Sequence, residues 1–373
     1  MAKKKKIRVA FRKNRQNKPP RKNFNTGRQD PQLDLADLPA AERVSGKGNL
    51  TRRRTIVSRE DDDHAGSLVR AVDEAKCLRG RVISPHGGEC LVQAESGARY
   101  ECTVRRVMKS LANNERNAIV AGDRVLFKPV GDDQGLIERI EPRRQTLSRR
   151  VRNHRQVLVA NVDQVLIVAS AADPPLKTSL IDRYLISAAF GEIRPIICIN
   201  KADLVDQVEL QSVVGLYSQL GYQTLVTSTH LGIGLEDLRR ALCGCETALA
   251  GQSGVGKSSL INAVEPRLNL KTYEVSGETG KGRHTTTNAR LLELSFGGWV
   301  VDTPGIRQLE LCDVVPAEVE GFFLEFHPFV RRCRFPDCSH LHESACGVKR
   351  AVVEGYISAI RYESYCKIRS DEE

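Results

Sequence analysis

The nonapeptide Gly251-Gln252-Ser253-Gly254-Val255-Gly256-Lys257-Ser258-Ser259 constrains the fold of this chain more than any other feature. It matches the phosphate-loop pattern in full. It also stands between an apolar β run, Thr247 to Ala250, and a helical stretch, Ser259 to Val264. The glycines let successive backbone N–H groups turn inward around a phosphate, and the helix N-terminus adds partial positive charge. Lys257 is expected to neutralise β- and γ-phosphate oxygens, and Ser258 to bind Mg2+. Such a loop needs a strand feeding a helix, so it commits the chain to an α/β P-loop domain. It does not choose between ATP and GTP.

Asn200-Lys201-Ala202-Asp203, at the end of the apolar run Pro195 to Ile199, makes that choice. A carboxylate at Asp203 can accept from guanine N1–H and from the exocyclic amine. Adenine offers no donors there and would leave the acid desolvated and unpaired. Sites built this way discriminate by roughly 10⁴. Lys201 is expected along the base face and Asn200 to brace the loop. Thr227-Ser228, after the next strand, suits the small-residue loop over guanine O6. The base-reading motif precedes the phosphate loop, the reverse of the usual GTPase order. The chain therefore reads as a circularly permuted GTPase that takes GTP and GDP.

Asp302-Thr303-Pro304-Gly305 closes another apolar run. Asp302 is expected to reach Mg2+ through water, and the Gly305 N–H to touch the γ-phosphate, making the following loop nucleotide-sensitive. Between the two motifs lies the polar loop Gly280 to Thr287, in which Thr285 or Thr286 would supply a second Mg2+ ligand; the other reading is a surface turn. Ile306 stands where many GTPases place the glutamine that orients water. Either hydrolysis is slow, or another group acts, with His284 the nearest candidate base. An exposed loop histidine is the competing reading.

The apolar runs Gln164–Ser170, Pro195–Asn200, Thr224–Ser228, Thr247–Ala250 and Gly298–Asp302 alternate with helical patterns at Ser179–Phe190 and Glu209–Gln219. This is the signature of a mostly parallel sheet with helices on both faces, binding ligands at the strand carboxyl ends. Residues 144–310 are assigned to this domain. Over 76–143, five short β runs separated by turn residues suit a small closed barrel of OB type, with an SH3-like barrel as the alternative. Six arginines between Arg143 and Arg155, with no acid among them, read as a basic joint, either a solvated linker or an rRNA contact.

Charge is concentrated at the start. Residues 1–30 hold twelve lysines and arginines against Asp30 alone, which accounts for the whole net charge of +11. Residues 1–75 are read as a basic tail and linker without regular structure, because so few apolar groups cannot offset the entropy of ordering. Such a tail either solubilises the protein or neutralises nucleic-acid phosphates. No apolar run reaches the ~18 residues of a membrane span, and no secretory signal is recognisable. A cytoplasmic protein without a membrane partner is expected.

Eleven cysteines in such a chain argue for reduced thiols. Cys333-x4-Cys338-x-His340-x5-Cys346 is a compact set suited to one tetrahedral, structural Zn2+. It falls in residues 311–373, read as a mainly helical domain too short to hold much core of its own. His342 is a spare that could compete with His340. Cys243 and Cys245 read as a buried or loop pair of thiols, and Ala351 to Arg369 as a helical tail.

Taken together, the phosphate loop, Lys281 to Thr287, Asn200 to Asp203 and the cysteine–histidine set resemble the small ribosomal subunit biogenesis GTPases of the RsgA family, over residues 78 to 369. The resemblance implies docking on the small ribosomal subunit and its rRNA late in maturation. It also implies GTP hydrolysis that is stimulated by the subunit and coupled to release, with a monomer off the ribosome. Two other readings stand beside it. One is a permuted GTPase of large-subunit assembly; the other is an RNA-binding zinc protein whose nucleotide is only structural.

Overall fold

The computed structural model describes residues 4–10, 53–60, 68–70, 74–86, 88–104, 119–151, 154–270, 289–302 and 316–370. Within the stretch expected to lack regular structure, three backbone segments pair antiparallel: β1 (Lys4–Ala10), β2 (Arg53–Glu60) and β3 (Leu68–Arg70). Ile7 stands opposite Ile56. The β-branched residues Ile7, Val9, Ile56 and Val57 give these charged segments a strand preference that net charge alone conceals.

The barrel consists of β4 (Leu78–His86), β5 (Glu89–Ala94), β6 (Arg99–Val104), β7 (Arg124–Pro129) and β8 (Gln134–Ile140), closed in the order β4-β5-β6-β8-β7. Strands β6 and β8 run parallel while the other neighbours are antiparallel. That Greek-key closure of five strands is the OB arrangement and decides between the two barrels considered. Alternate residues of β5, Cys90, Val92 and Ala94, point inward against Val82, Cys102, Val125, Phe127 and Ile137. At Gly80 a Cβ would stand 2.7 Å from Val92 Cγ1 and 2.8 Å from the Gln93 carbonyl, so only glycine lets β4 approach β5 there.

The basic joint is not an open linker. It folds into an antiparallel ribbon, β9 (Thr146–Val151) and β10 (His154–Ala160), because apolar positions such as Leu147, Val157 and Val159 are buried between the arginines. Arg143 is also taken up internally. Its guanidinium donates to both oxygens of the buried Asp123, at 2.7 and 2.9 Å.

The central sheet contains β11 (Gln164–Ser170), β12 (Arg194–Asn200), β13 (Gln223–Val226), β14 (Glu246–Ala250), β15 (Arg290–Glu293) and β16 (Trp299–Asp302), in the order β13-β12-β11-β14-β16-β15. All pair in parallel except the edge strand β15, which hairpins onto β16. Helices α1 (Thr178–Phe190) and α2 (Gln207–Gln219) cover one face, α3 (Leu235–Leu242) and α4 (Lys257–Val264) the other. Ile167, Ile197 and Val301 join the first core; their neighbours Leu166, Ile196 and Val300 join the second. Burial on both faces is why these strands read as continuous apolar runs.

The C-terminal part holds α5 (His327–Val330), α6 (Gly347–Val353) and α7 (Ala359–Arg369). The expected single helical tail is two helices, broken where Gly355 turns at a φ of +81°. Phe323, Phe326 and Tyr365 build a core that Ile186 of α1 enters. Buried Arg361 of α7 donates to Asp182 of α1 at 2.5 Å and to Glu325 at 2.6 Å, so this part is locked onto the sheet domain. No helix among the described residues is long and apolar enough to cross a membrane.

Candidate nucleotide site and metal centre

Strands β12, β14 and β16, the first two separated by β11, point the same way and carry Asn200, the phosphate loop and Asp302 to the same end of the sheet. Parallel strands deliver their carboxyl ends together, which explains how motifs 50 to 100 residues apart share one site. Gly251, Gly254 and Gly256 take φ values of 136°, 84° and 93°, a backbone path that L side chains rarely adopt. Lys257 Nζ donates to the carbonyls of Gly251, 2.7 Å, and Gln252, 2.5 Å, which ties its charge to the loop. Gln252, Ser253, Val255, Ser258 and Ser259 complete the turn and the first turn of α4.

Asn200 joins the two nucleotide-binding segments. Its side chain is buried; Nδ2 donates to the Val255 carbonyl at 2.9 Å and Oδ1 accepts from Thr227 Oγ1 at 3.1 Å. A Cβ on Gly256 would collide with that same amide, so the glycine is needed for contact between the segments as well as for its φ. Lys201 takes left-handed backbone, φ +60°, and its ammonium donates to the Asp173 carbonyl at 2.6 Å. Ala202 is buried, with its N–H on the Thr227 carbonyl at 3.1 Å. Asp203 accepts from Ser228 Oγ at 2.5 Å, and this hydroxyl is the main reason its carboxyl lies below the usual range. Ser228 also accepts from Leu231 N at 3.1 Å, which fixes the hydroxyl against the acid.

Asp302 is placed by its backbone, paired with Arg290 across the hairpin. His284, Thr285, Thr286, Gly305 and Ile306 lie outside the described residues. Thr227, expected with Ser228 in the small-residue loop, instead braces Asn200 and Ala202. Asp173, which receives the Lys201 ammonium, belongs to no motif in the sequence.

The second cluster is Cys333, Cys338, His340 and Cys346, whose donor atoms lie within 4.8 Å of one another. His340 Nδ1 is 3.5 Å from Cys333 Sγ and 3.3 Å from Cys346 Sγ, so that nitrogen faces the thiols. Nε2 meets Glu320 at 2.8 Å, an outer carboxylate of the kind that orients metal-bound imidazoles. The Gly347 and Lys349 N–H groups donate to Cys333 and Cys346 sulfur. Three sulfurs and one imidazole nitrogen at this spacing fit a closed tetrahedral Zn2+ site. His342 is 82% exposed, stands near Glu343 and does not join the cluster. Cys243 is exposed and donates to the Phe296 carbonyl, while Cys245 lies 3.8 Å from Arg194.

A parallel sheet whose base-reading loop precedes its phosphate loop, flanked by an OB-type barrel and a cysteine–histidine cluster, defines a circularly permuted P-loop GTPase. A model of the RsgA GTPase family matches residues 140–312. The small ribosomal subunit biogenesis GTPase RsgA of Moorella thermoacetica is 42% identical over 288 residues, covering 77% of this chain and 95% of that protein. Its namesake from Thermotoga maritima is 42% identical over 294 residues, with 78% and 95% covered. The crystal structure of YjeQ from Thermotoga maritima matches with a TM-score of 0.64 and 39% identity over 79% of this chain and 98% of that one. YloQ, a circularly permuted GTPase, matches with a TM-score of 0.61 and 29% identity, covering 81% and 97%. This chain belongs to the RsgA GTPase family, and hydrolysis of GTP is its activity.

Proposed function

We propose that this protein binds the small ribosomal subunit through its rRNA and assists a late step of its maturation. GTP hydrolysis is slow alone, stimulated by the subunit and coupled to release. One observation carries the reading: barrel, permuted GTPase and cysteine–histidine cluster form one packed body. Relatives named for small-subunit biogenesis match it over 95% of their length. Binding in the GTP state and leaving in the GDP state suits a protein whose C-terminal part is fixed to the nucleotide-binding sheet through Arg361 and Asp182.

In this reading Ser258, Asp302 and Thr286 or Thr285 attend Mg2+, and the Gly305 N–H reads the γ-phosphate. His284 orients water in place of a glutamine. The Cys333, Cys338, His340 and Cys346 set holds one structural Zn2+. The protein works as a monomer in the cytoplasm. Sedimentation with purified ribosomal subunits tests the partner. The protein should travel with small subunits in a non-hydrolysable GTP analogue and dissociate in GDP. Travel with large subunits instead would favour large-subunit assembly, and binding that ignores the nucleotide would favour a structural role for it.

A further inference from the structure

A cleft of about 650 Å³ opens between the barrel and the amino-terminal edge of the sheet, away from the strand ends that carry the nucleotide motifs. Arg79 and Arg81 of β4, Arg124 of β7 and Arg144 line it, together with Trp299 at the start of β16. Arg81 crosses the joint to Glu246, yet its Nε is buried without a hydrogen-bond partner. Burial first, and the neighbouring charge of Arg124 second, push the Arg81 guanidinium down to about 10. Four glutamates also line the cleft: Glu74 and Glu141 are taken up by Arg139 and Glu246 by Arg81, which leaves Glu95 opposite the exposed Arg79, Arg124 and Arg144, for which no ion pair is seen among the described residues. Several guanidiniums converging on one concave space suit a repeating anion, because each planar fork can take two phosphate oxygens.

We propose that this cleft receives an RNA phosphodiester backbone, with Arg124 and Arg144 contacting successive phosphates. The choice of RNA rests on the proposed function, but the contact is a property of the joint between barrel and sheet, separate from the nucleotide site. Strand β16 spans the distance between the two, with Trp299 in the cleft and Asp302 at the nucleotide edge.

Trp299 is the single tryptophan of the chain, so its fluorescence reports on the cleft. The experiment titrates the full chain, held saturated with GDP, with a short single-stranded oligoribonucleotide and separately with inorganic phosphate. RNA should change Trp299 emission saturably. The double variant Arg124→Ala, Arg144→Ala should bind more weakly, with a salt dependence shallower by about 1.4 in log K against log salt for two lost contacts. The basic tail is the same in both proteins, so the difference belongs to the cleft. Equal affinity and slope in the variant would overturn the proposal, as would RNA binding that leaves Trp299 unmoved. A response to phosphate alone that RNA does not reproduce would also overturn it. None of these readings uses ribosomal subunits, so failure of subunit binding leaves the result interpretable.

Discussion

Asn200, the last residue of β12, hydrogen-bonds the carbonyl of Val255 inside the phosphate loop at 2.9 Å, across 55 residues of sequence. The base-reading and phosphate-binding segments are therefore one hydrogen-bonded unit, with Thr227 as its third member. Replacing Asn200 with alanine would leave a buried carbonyl and a buried hydroxyl without their partner, costing about 1–3 kcal/mol. If the bound geometry depends on the bridge, GDP affinity should fall roughly 5- to 150-fold, the same range converted at 1.4 kcal/mol per decade. Calorimetric titration of GDP measures it, and unchanged affinity would remove Asn200 from the site.

Lys257→Ala should abolish GTP turnover, because the loop loses the cation that meets the phosphates. Single-turnover hydrolysis is the measurement. Retained activity would show that phosphate binding lies elsewhere.

Asp203→Asn should erase the preference for GDP over ADP in competition binding, since the amide cannot accept both guanine donors. The Ser228 hydroxyl also sets a pH dependence. It holds the Asp203 carboxyl below its ordinary range, so the carboxylate stays charged as pH falls from 7 to 5. The GDP-over-ADP ratio, in which titration of the phosphates cancels, should stay constant across that window. A ratio that collapses by pH 5 would contradict the assignment. In Ser228→Ala the carboxyl moves back up and the loss on acidification should begin at higher pH.

Much of this site could be read before any coordinates. Each motif occupies the end of a strand buried on both faces, and such strands announce themselves as unbroken apolar runs. What escaped depends on contacts between distant residues. Glu320, twenty positions before His340, carries no local mark of its contact with the imidazole. Arg143 looked like one of six free arginines because nothing local ties it to Asp123. The edge strand β15 has four residues and no alternation, too little pattern to stand out from a loop. Helix α3 starts after Gly234, which offers no capping side chain to mark its beginning in the sequence.

Chelation tests the cysteine–histidine cluster. The protein as purified should carry one zinc per chain by elemental analysis. Stripping the metal should lower the melting temperature, because α6 and the Phe326–Tyr365 core are built around those ligands. Glu320→Gln should weaken zinc affinity by roughly 10- to 100-fold, as outer-shell carboxylates do elsewhere. A metal-free protein of equal stability would contradict the structural role.

Arg361→Ala should be the costliest single change outside the nucleotide site. It leaves the buried Asp182 carboxyl with hydroxyl donors such as Tyr217 but no cation, and removes the link to Glu325, a loss of about 3–5 kcal/mol for breaking a buried ion pair from one side. Denaturant unfolding of the single variants and of Arg361→Ala with Asp182→Ala measures the coupling. The double variant should lose much less than the two singles together; additive losses would mean that the contact does not hold the parts.

The central claim is a GTPase whose chemistry answers to the small ribosomal subunit. The most direct measurement is the GTP turnover rate of the purified protein alone, with small subunits and with large subunits, at equal concentrations. The account predicts slow turnover alone, a large increase with small subunits and none with large ones. A rate indifferent to small subunits, or raised only by large ones, would contradict it.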